Sequence, residues 1–241
     1  MSLSPYTSEL GVSRAKHLLR RSCFHYNKTL LYQISSLNVD QALDVLLSDD
    51  TISYAQPYDP LPTDSPHGYW LESTEYPPDM PNQGRKRGLL SQWWFYNMVN
   101  RNNIKDKLLF FLHTTFTISS GDIGASHYLY DHLRLLQHYS LGNLRELAKK
   151  ITLDNAMLNY LDNTQNNANN PNENYAREFL ELFTITKGEQ IGEGDYSTYT
   201  EDDVIMAAKV FSGFKTKLDR SIIDLDTGTV SYTHLTLPTI E

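Results

Sequence analysis

The chain has 241 residues, of which 40% are hydrophobic and 21% are charged, and its formal net charge is −8. This composition is that of a globular protein with a real core, and the acidic balance argues against a general nucleic-acid or phosphate-binding surface. The lone cysteine, Cys23, cannot form an intrachain disulfide, and its apolar surroundings predict burial. No apolar run approaches the ~20 residues that span a bilayer, and the first residues show no secretory signal.

The apolar periodicity is mostly helical and predicts an all-α fold, a multi-helix single domain. In the first half of the chain the predicted helices are 12–22, 28–37, 39–47, 86–100 and 104–117. Prolines cluster within residues 49–83 and predict a long Pro-rich loop, anchored only by Tyr69, Trp70 and Leu71. The basic run 85–87 predicts a solvated helix start.

In the second half the predicted helices are 126–139, 144–151, 155–161, 171–186 and 200–212. The Asn-rich run 162–170 predicts a loop, because asparagine competes for backbone hydrogen bonds. Asn170 has the place of an N-cap and Pro171 that of the first helical residue, while Thr200 and Asp203 have capping-box spacing. An extended segment is predicted at 221–225.

The last residues follow no domain pattern. The tail VSYTHLTLPT back-translates to a string that resembles the transposase adapter used in preparing sequencing libraries. We therefore predict that residues 230–241 are an adapter-derived, non-native tail. Residues 1–229 are then expected to be the N-terminal portion of one helical domain, truncated at its C-terminus.

The stretch PNENYAREFLELF (171–183) carries a charged stripe on one side of a predicted helix. Glu173, Arg177 and Glu181 are spaced i, i+4, i+8, and Asn174 and Glu178 lie on the same half of the wheel. On spacing alone a surface ion-pair ladder is the stronger interpretation. The alternative is a reactive surface that faces the interior.

The predicted helix 104–117 is apolar around its whole circumference, so its middle is expected to be buried on all sides. His113 lies within that run. One interpretation is a core histidine bonded to a carbonyl or a carboxylate. The other is a metal ligand or general base that faces Glu178 or Glu181.

The following helix, 126–139, also carries polar side chains, which form either a second wall of a polar pocket or a solvent-facing side. Of the two, the solvent-facing side is favoured. The residues concerned are His127, Asp131, Arg134 and His138. The sequence GEQIGEG is not a phosphate-binding loop, and the HExxH, CxxC and GxSxG patterns are absent.

Six segments, in order, resemble the bacterial family known as domain of unknown function 1800, over about residues 17–214. They are HLLRRSCF, FFLHTTF, SLGNLREL, LDNAMLNYLDN, NPNENYAREFLELFT and YTEDDVIMAAKVFSGF. The resemblance implies that the family's motif centres on the polar stripe, which favours a functional role for it. The stripe comprises Asn172, Glu173, Asn174, Arg177, Glu178 and Glu181.

The resemblance also implies expectations beyond the stripe. Family members are often predicted to be exported and are often encoded near a sulfatase-like or phosphatase-like partner family. The family tends to show His-x-His where this chain has His113 followed by Thr115, so a two-histidine metal site is in doubt here. Phe183 occupies another position where the family can carry a histidine.

Two functional hypotheses follow. In the first, a polar cavity between the His113 helix and the stripe supports hydrolase-like chemistry, with Glu178 and Glu181 as bases or, with His113, as ligands of a divalent metal. Arg177 would fix an anion, and a further set would bind substrate: Asn172, Asn174 and Glu173. In the second, the stripe is a structural network that orders the Asn-rich loop of a non-catalytic binding or scaffold module.

Overall fold

The protein is described by a computed structural model, which covers residues 6–48, 55–63, 68–72, 82–216 and 233–235. Within these residues the chain forms ten α-helices, which confirms the all-α prediction. They are α1 (Gly11–Ser22), α2 (Lys28–Ser35), α3 (Val39–Leu47), α4 (Gln83–Asn100), α5 (Lys105–Thr115), α6 (Ser126–His138), α7 (Leu144–Ile151), α8 (Asn155–Tyr160), α9 (Asn174–Glu178) and α10 (Glu201–Val210).

Shorter elements complete the described fold. A π-helical segment continues α9, and three single 3-10 turns lie in the connections: Trp70–Glu72, Tyr139–Leu141 and Asn163–Gln165. One pair of three-residue strands, β1 (Phe214–Thr216) and β2 (Thr233–Leu235), pairs antiparallel with Phe214 opposite Leu235. The extended segment predicted at 221–225 lies outside the described residues, as does most of the predicted tail 230–241.

Local capping explains several helix starts. Asn38 and Gln41 form a reciprocal capping box at α3, and Thr200 and Asp203 form one at α10. The side chain of Asn143 accepts backbone N–H groups at the start of α7. These three helices begin where the sequence predicted, within a residue.

The apolar residues form one large core and two smaller clusters. The large core contains residues from α4 to α8 together with Trp70, Tyr175 and Phe183. A second cluster joins α1, α2 and α3, and includes Cys23, which is buried as predicted. A third joins α9 to α10 through Ala176, and this contact brings the polar stripe close to α10.

Asp59, in the described part of the loop before α4, forms ion pairs that the sequence analysis missed. Asp59 is fully buried, and it accepts hydrogen bonds from Lys86 Nζ at 2.5 Å and from Arg85 at 2.6 Å. Lys86 is itself fully buried, 4.9 Å from the ring centre of Trp70. The prediction that the run 85–87 is simply solvated was therefore wrong for Lys86. Of the predicted anchors, Trp70 and Leu71 are buried, but Tyr69 is exposed.

Candidate functional site

The helix that carries the polar stripe starts later than predicted and then widens. Helix α9 begins at Asn174, so Asn170 is not its N-cap and Pro171 is not its first residue. After Glu178 the chain continues as a π-helix over Phe179–Thr184, in which the N–H of Ile185 bonds to the carbonyl of Leu180 five residues earlier. This wider turn places Glu181 at an angle that an α-helical wheel does not predict.

Asn172 and Asn174 bond to backbone groups on either side of the Asn-rich loop. The N–H of Asn172 donates to the side chain of Asn166, and the side chain of Asn172 caps the N–H of Asn174. The Asn174 side chain donates to the carbonyl of Leu161 at 3.2 Å. Asn166, which is fully buried, also donates to the carbonyl of Ala208 on α10. These bonds join the loop to two helices, and the substrate-binding roles of Asn172 and Asn174 stay a prediction.

Arg177 is held between two carboxylates. Its guanidinium donates two bonds to Glu201 on α10, at 2.7 and 2.8 Å, and one to Glu173 at 3.1 Å. The hydrogen bonds to Glu201 raise the pKa of Arg177, and the same bonds lower the pKa of the Glu201 carboxyl. The three side chains are each about one-third to two-fifths exposed. The stripe therefore faces α10 at the molecular surface, and this arrangement leaves the Arg177 fork already occupied.

Glu181 belongs to a separate group on the adjoining loop. It accepts a hydrogen bond from the Tyr199 hydroxyl at 2.9 Å and pairs with Lys187 at 3.1 Å. Desolvation acts to raise the pKa of Glu181, but the bonds from Lys187 and Tyr199 outweigh it and lower the pKa. Lys187 also lies 4.6 Å from the ring centre of Tyr196. Glu181 is thus held in its ionised form by fixed partners.

Glu178 differs from its neighbours because its carboxyl accepts no hydrogen bond from any residue that the structure describes. It is half-buried. Desolvation, followed by the charge of Glu181, raises its pKa. Among the predicted catalytic carboxylates, only Glu178 combines an unoccupied carboxyl with a raised pKa.

His113 lies on α5 among other ring systems. Its ring is perpendicular to that of Trp94, with centroids 4.9 Å apart, and lies 5.6 Å from that of His132. Desolvation, followed by the charge of His132, lowers the pKa of His113 to about 4, so the ring is neutral at pH 7. The expectation that α5 is buried on all sides was wrong, because Phe110 and Phe111 are 44% and 62% exposed.

The predicted metal centre is not assembled in the described part of the chain. No hydrogen bond or ion pair there joins His113 to Glu178 or Glu181, and the Nδ1 atom of His113 is buried without a partner. No group of three or more His, Cys, Asp or Glu side chains that could hold a metal ion is found among those residues. The ligand roles of His113, Glu178 and Glu181 thus stay a prediction.

The polar side chains of α6 are more deeply buried than those of the stripe on α9. His127 and Asp131 are 2% and 6% exposed, so the solvent-facing interpretation was wrong for both, although His138 is exposed. Sequence reasoning also missed the fully buried His132, which bonds to Asp154 at 2.9 Å and to the carbonyl of Phe116 at 3.0 Å. Asp154 could have been found as the N-cap of α8, since its side chain accepts the N–H of Met157, but its contact with α6 leaves no sequence signal.

The structure is an all-α protein in which the 171–184 motif packs against α10, and Arg177 of the motif is bonded to Glu201 of that helix. The sequence model of a family described as a protein of unknown function (DUF1800) matches residues 17–233. The chain belongs to this family. The match reaches into the predicted tail, whose non-native origin stays a prediction.

No curated protein matches the chain, and no solved structure matches it. In the part of the chain that the structure describes, no helix is both long and apolar enough to cross a membrane.

Proposed function

We propose that this protein is a non-catalytic binding module that acts with a partner protein, and that the charged face of α9 is its internal clamp. The observation that carries the proposal is the occupation of Arg177 by Glu201 and Glu173. A guanidinium that already bonds two carboxylates has little capacity left to fix a substrate anion. The bonds made by Asn172 and Asn174 within the loop support the same conclusion.

Exposed aromatic residues on α4 and α5 support a role in binding a partner. Phe95 and Tyr96 are each 63% exposed, and Phe111 is 62% exposed. Aromatic side chains are enriched at protein interfaces, where they supply much of the binding energy. A sulfatase-like or phosphatase-like protein, suggested by the family resemblance, is part of this proposal.

A double-mutant cycle on the clamp tests its structural role. We expect Arg177→Gln and Glu201→Gln each to lower the free energy of unfolding by about 1 kcal/mol, and the double variant to lose less than the sum. This expected loss is reduced for solvent screening, because the side chains of Arg177 and Glu201 are 33% and 39% exposed. Urea denaturation at pH 7 measures all three variants.

Lys149→Gln is the matched control, since its ion pair with Glu146 is more exposed and lies on one helix. We expect it to change the stability by less than about 0.5 kcal/mol. The clamp proposal fails if Arg177→Gln is at least as stable as the natural protein. That outcome is typical of a residue retained for ligand binding at the expense of stability.

An acid/base site at Glu178 is the second candidate function, and it retains the hydrolase hypothesis. A general acid or base needs a free carboxyl whose pKa lies closer to the working pH. Glu178 has no hydrogen-bond donor among the described residues and has a raised pKa, while Glu181 supplies a fixed negative charge nearby. No metal is needed for this chemistry.

The two glutamates are expected to respond to pH with opposite signs. The folded-state pKa of Glu178 is above the ordinary 4.5, so its ionisation lowers stability as pH rises from 4.5 through the raised value. Glu178→Gln should therefore raise the free energy of unfolding at pH 7, by roughly 0.5 kcal/mol. The pKa of Glu181 is lowered, so its contribution is present above pH 4.5 and is lost as pH falls. Glu181→Gln should cost about 1 kcal/mol at pH 7, because the hydrogen bond from Tyr199 is then no longer charge-assisted.

Carboxyl-carbon NMR of the natural protein checks both pKa directions directly, and unfolding at pH 7 and at pH 4 checks their energetic signs. A Glu178 midpoint at or below that of an ordinary glutamate would exclude this residue as the acid or base.

A further inference from the structure

The first two helices concentrate positive charge in an acidic protein. Residues 10–39 contain no aspartate or glutamate and five lysines or arginines. The whole chain carries −8, so the remaining residues carry a net −13. The five cations are Arg14, Lys16, Arg20, Arg21 and Lys28.

These cations cover the solvent side of α1 and the start of α2. Helix α1 buries Ala15 and Leu19 against α2 and α3. At about 100° per residue, its four lysines and arginines fall within an arc of about 160° opposite that buried side. All five cations are exposed, and none forms an ion pair with a residue that the structure describes. We call this surface, made by the five cations, the basic face.

Helix stability does not explain most of the basic face. Arg20 and Arg21 lie in the last turn of α1, where the helix dipole favours cations. Lys16 lies four residues before Arg20, and like charges at this spacing repel each other. Lys28 is the first residue of α2, where the dipole disfavours a cation. Arg14 does gain a contact with the Tyr6 ring, at 4.4 Å. Helix stability alone would favour an acidic residue at the positions of Lys16 and Lys28, so binding is the better explanation for these cations.

We infer that the basic face binds a short acidic segment of a partner protein. This inference rests on the proposed binding role and names the chemistry of the partner. Helix α1 is about 18 Å long, and at physiological salt charges are screened beyond about 8 Å. A ligand of that length keeps its carboxylates close to the five cations. Arginine forks bind carboxylates with two parallel hydrogen bonds, and three arginines lie on α1 to provide them.

The same geometry disfavours a membrane or a nucleic acid as the partner. The apolar side of α1 is buried in the cluster with α2 and α3, so it cannot enter a lipid interface. A long polyanion would extend beyond the basic face toward the rest of a chain whose other residues carry a net −13.

Binding of fluorescein-labelled hexaglutamate to the full chain tests the inference. The peptide is about 20 Å long when extended, which matches α1. By fluorescence anisotropy, we expect Arg14→Gln/Lys16→Gln to weaken binding about tenfold, and added salt to weaken binding of the natural protein. Arg20→Gln/Arg21→Gln should give a similar loss and serves as the second variant if the first is poorly folded by circular dichroism. Arg145→Gln/Lys209→Gln removes the same charge from exposed sites elsewhere and should change affinity less than about twofold.

Three results would overturn the inference. The first is no binding of hexaglutamate, and the second is an equal loss in the control variant. The third is tighter binding of phosphatidylserine vesicles or oligothymidylate that the same basic-face variants abolish, which would assign the face to lipid or nucleic acid. None of the basic-face variants changes α9 or α10, so failure here is separable from failure of the clamp proposal.

Discussion

Asp154→Ala is expected to lower the free energy of unfolding by about 3 to 5 kcal/mol, because it leaves a buried imidazole nitrogen without its hydrogen-bond partner and removes a helix cap. His132 is fully buried, and both of its ring nitrogens face acceptors. Nε2 bonds to the carbonyl oxygen of Phe116, and Nδ1 bonds to the carboxylate of Asp154. Asp154→Ala also removes the N-cap of α8, whose side chain accepts the N–H of Met157.

Urea denaturation of Asp154→Ala, His132→Leu and the double variant measures the coupling between the two side chains. We expect the double variant to be less destabilised than the sum, because removing both partners leaves no unpaired group. Asp122→Ala, at an exposed aspartate in the connection before α6, is the control and should change stability by less than about 0.5 kcal/mol. A cost of 1 kcal/mol or less for Asp154→Ala would contradict a stabilising hydrogen bond between Asp154 and the buried His132 ring.

Lys86→Met is the second change for which we expect a cost of about 3 to 5 kcal/mol. Asp59 and Lys86 are both fully buried, so removal of the ammonium leaves a buried carboxylate with Arg85 as its remaining cationic partner. Asp59→Asn combined with Lys86→Met removes both charges with little change in volume. This double variant should recover much of the loss, which thermal unfolding can measure.

The Asp59 ion pair also has a predictable pH dependence. Desolvation acts to raise the Asp59 pKa, but the bond from Lys86, the Leu61 N–H and the charges of Lys86 and Arg85 outweigh it and lower the pKa. The stabilisation is therefore present above the ordinary pKa of 3.8 and is lost as pH falls through the lowered value. The stability difference between the natural protein and Asp59→Asn should shrink at acidic pH. A difference that is constant from pH 7 down to acid unfolding would contradict this assignment.

The helices were largely predictable from the sequence because their signals are local. The capping residues Asn38, Asn143 and Thr200 act within three residues of their own positions, and apolar periodicity needs only neighbouring turns. The prediction for the start of α9 was wrong because the contact that sets it is not local. The N–H of Asn172 is bonded to Asn166, a contact that a helix-start pattern centred on Pro171 does not contain.

The site was predictable only as a list of residues. Glu173, Arg177 and Glu181 were expected to share one ladder, yet Arg177 takes its main partner, Glu201, from 24 residues further along the chain. His132 and Asp154 are 22 residues apart and carry no shared spacing signal. Local patterns say which side of a helix is polar, but the partner that a polar side meets depends on tertiary packing.

The π-helix of Phe179–Thr184 affects how relatives should be aligned with this chain. A homologue with one residue fewer in this segment could close regular α-helical turns, and everything after the deletion would rotate by about 100°. Its counterpart of Glu181 would then point away from the position at which Glu181 meets Tyr199 here. An alignment gap placed one position too early or too late in this segment would thus pair residues that face different neighbours, even where the aligned residue types are identical.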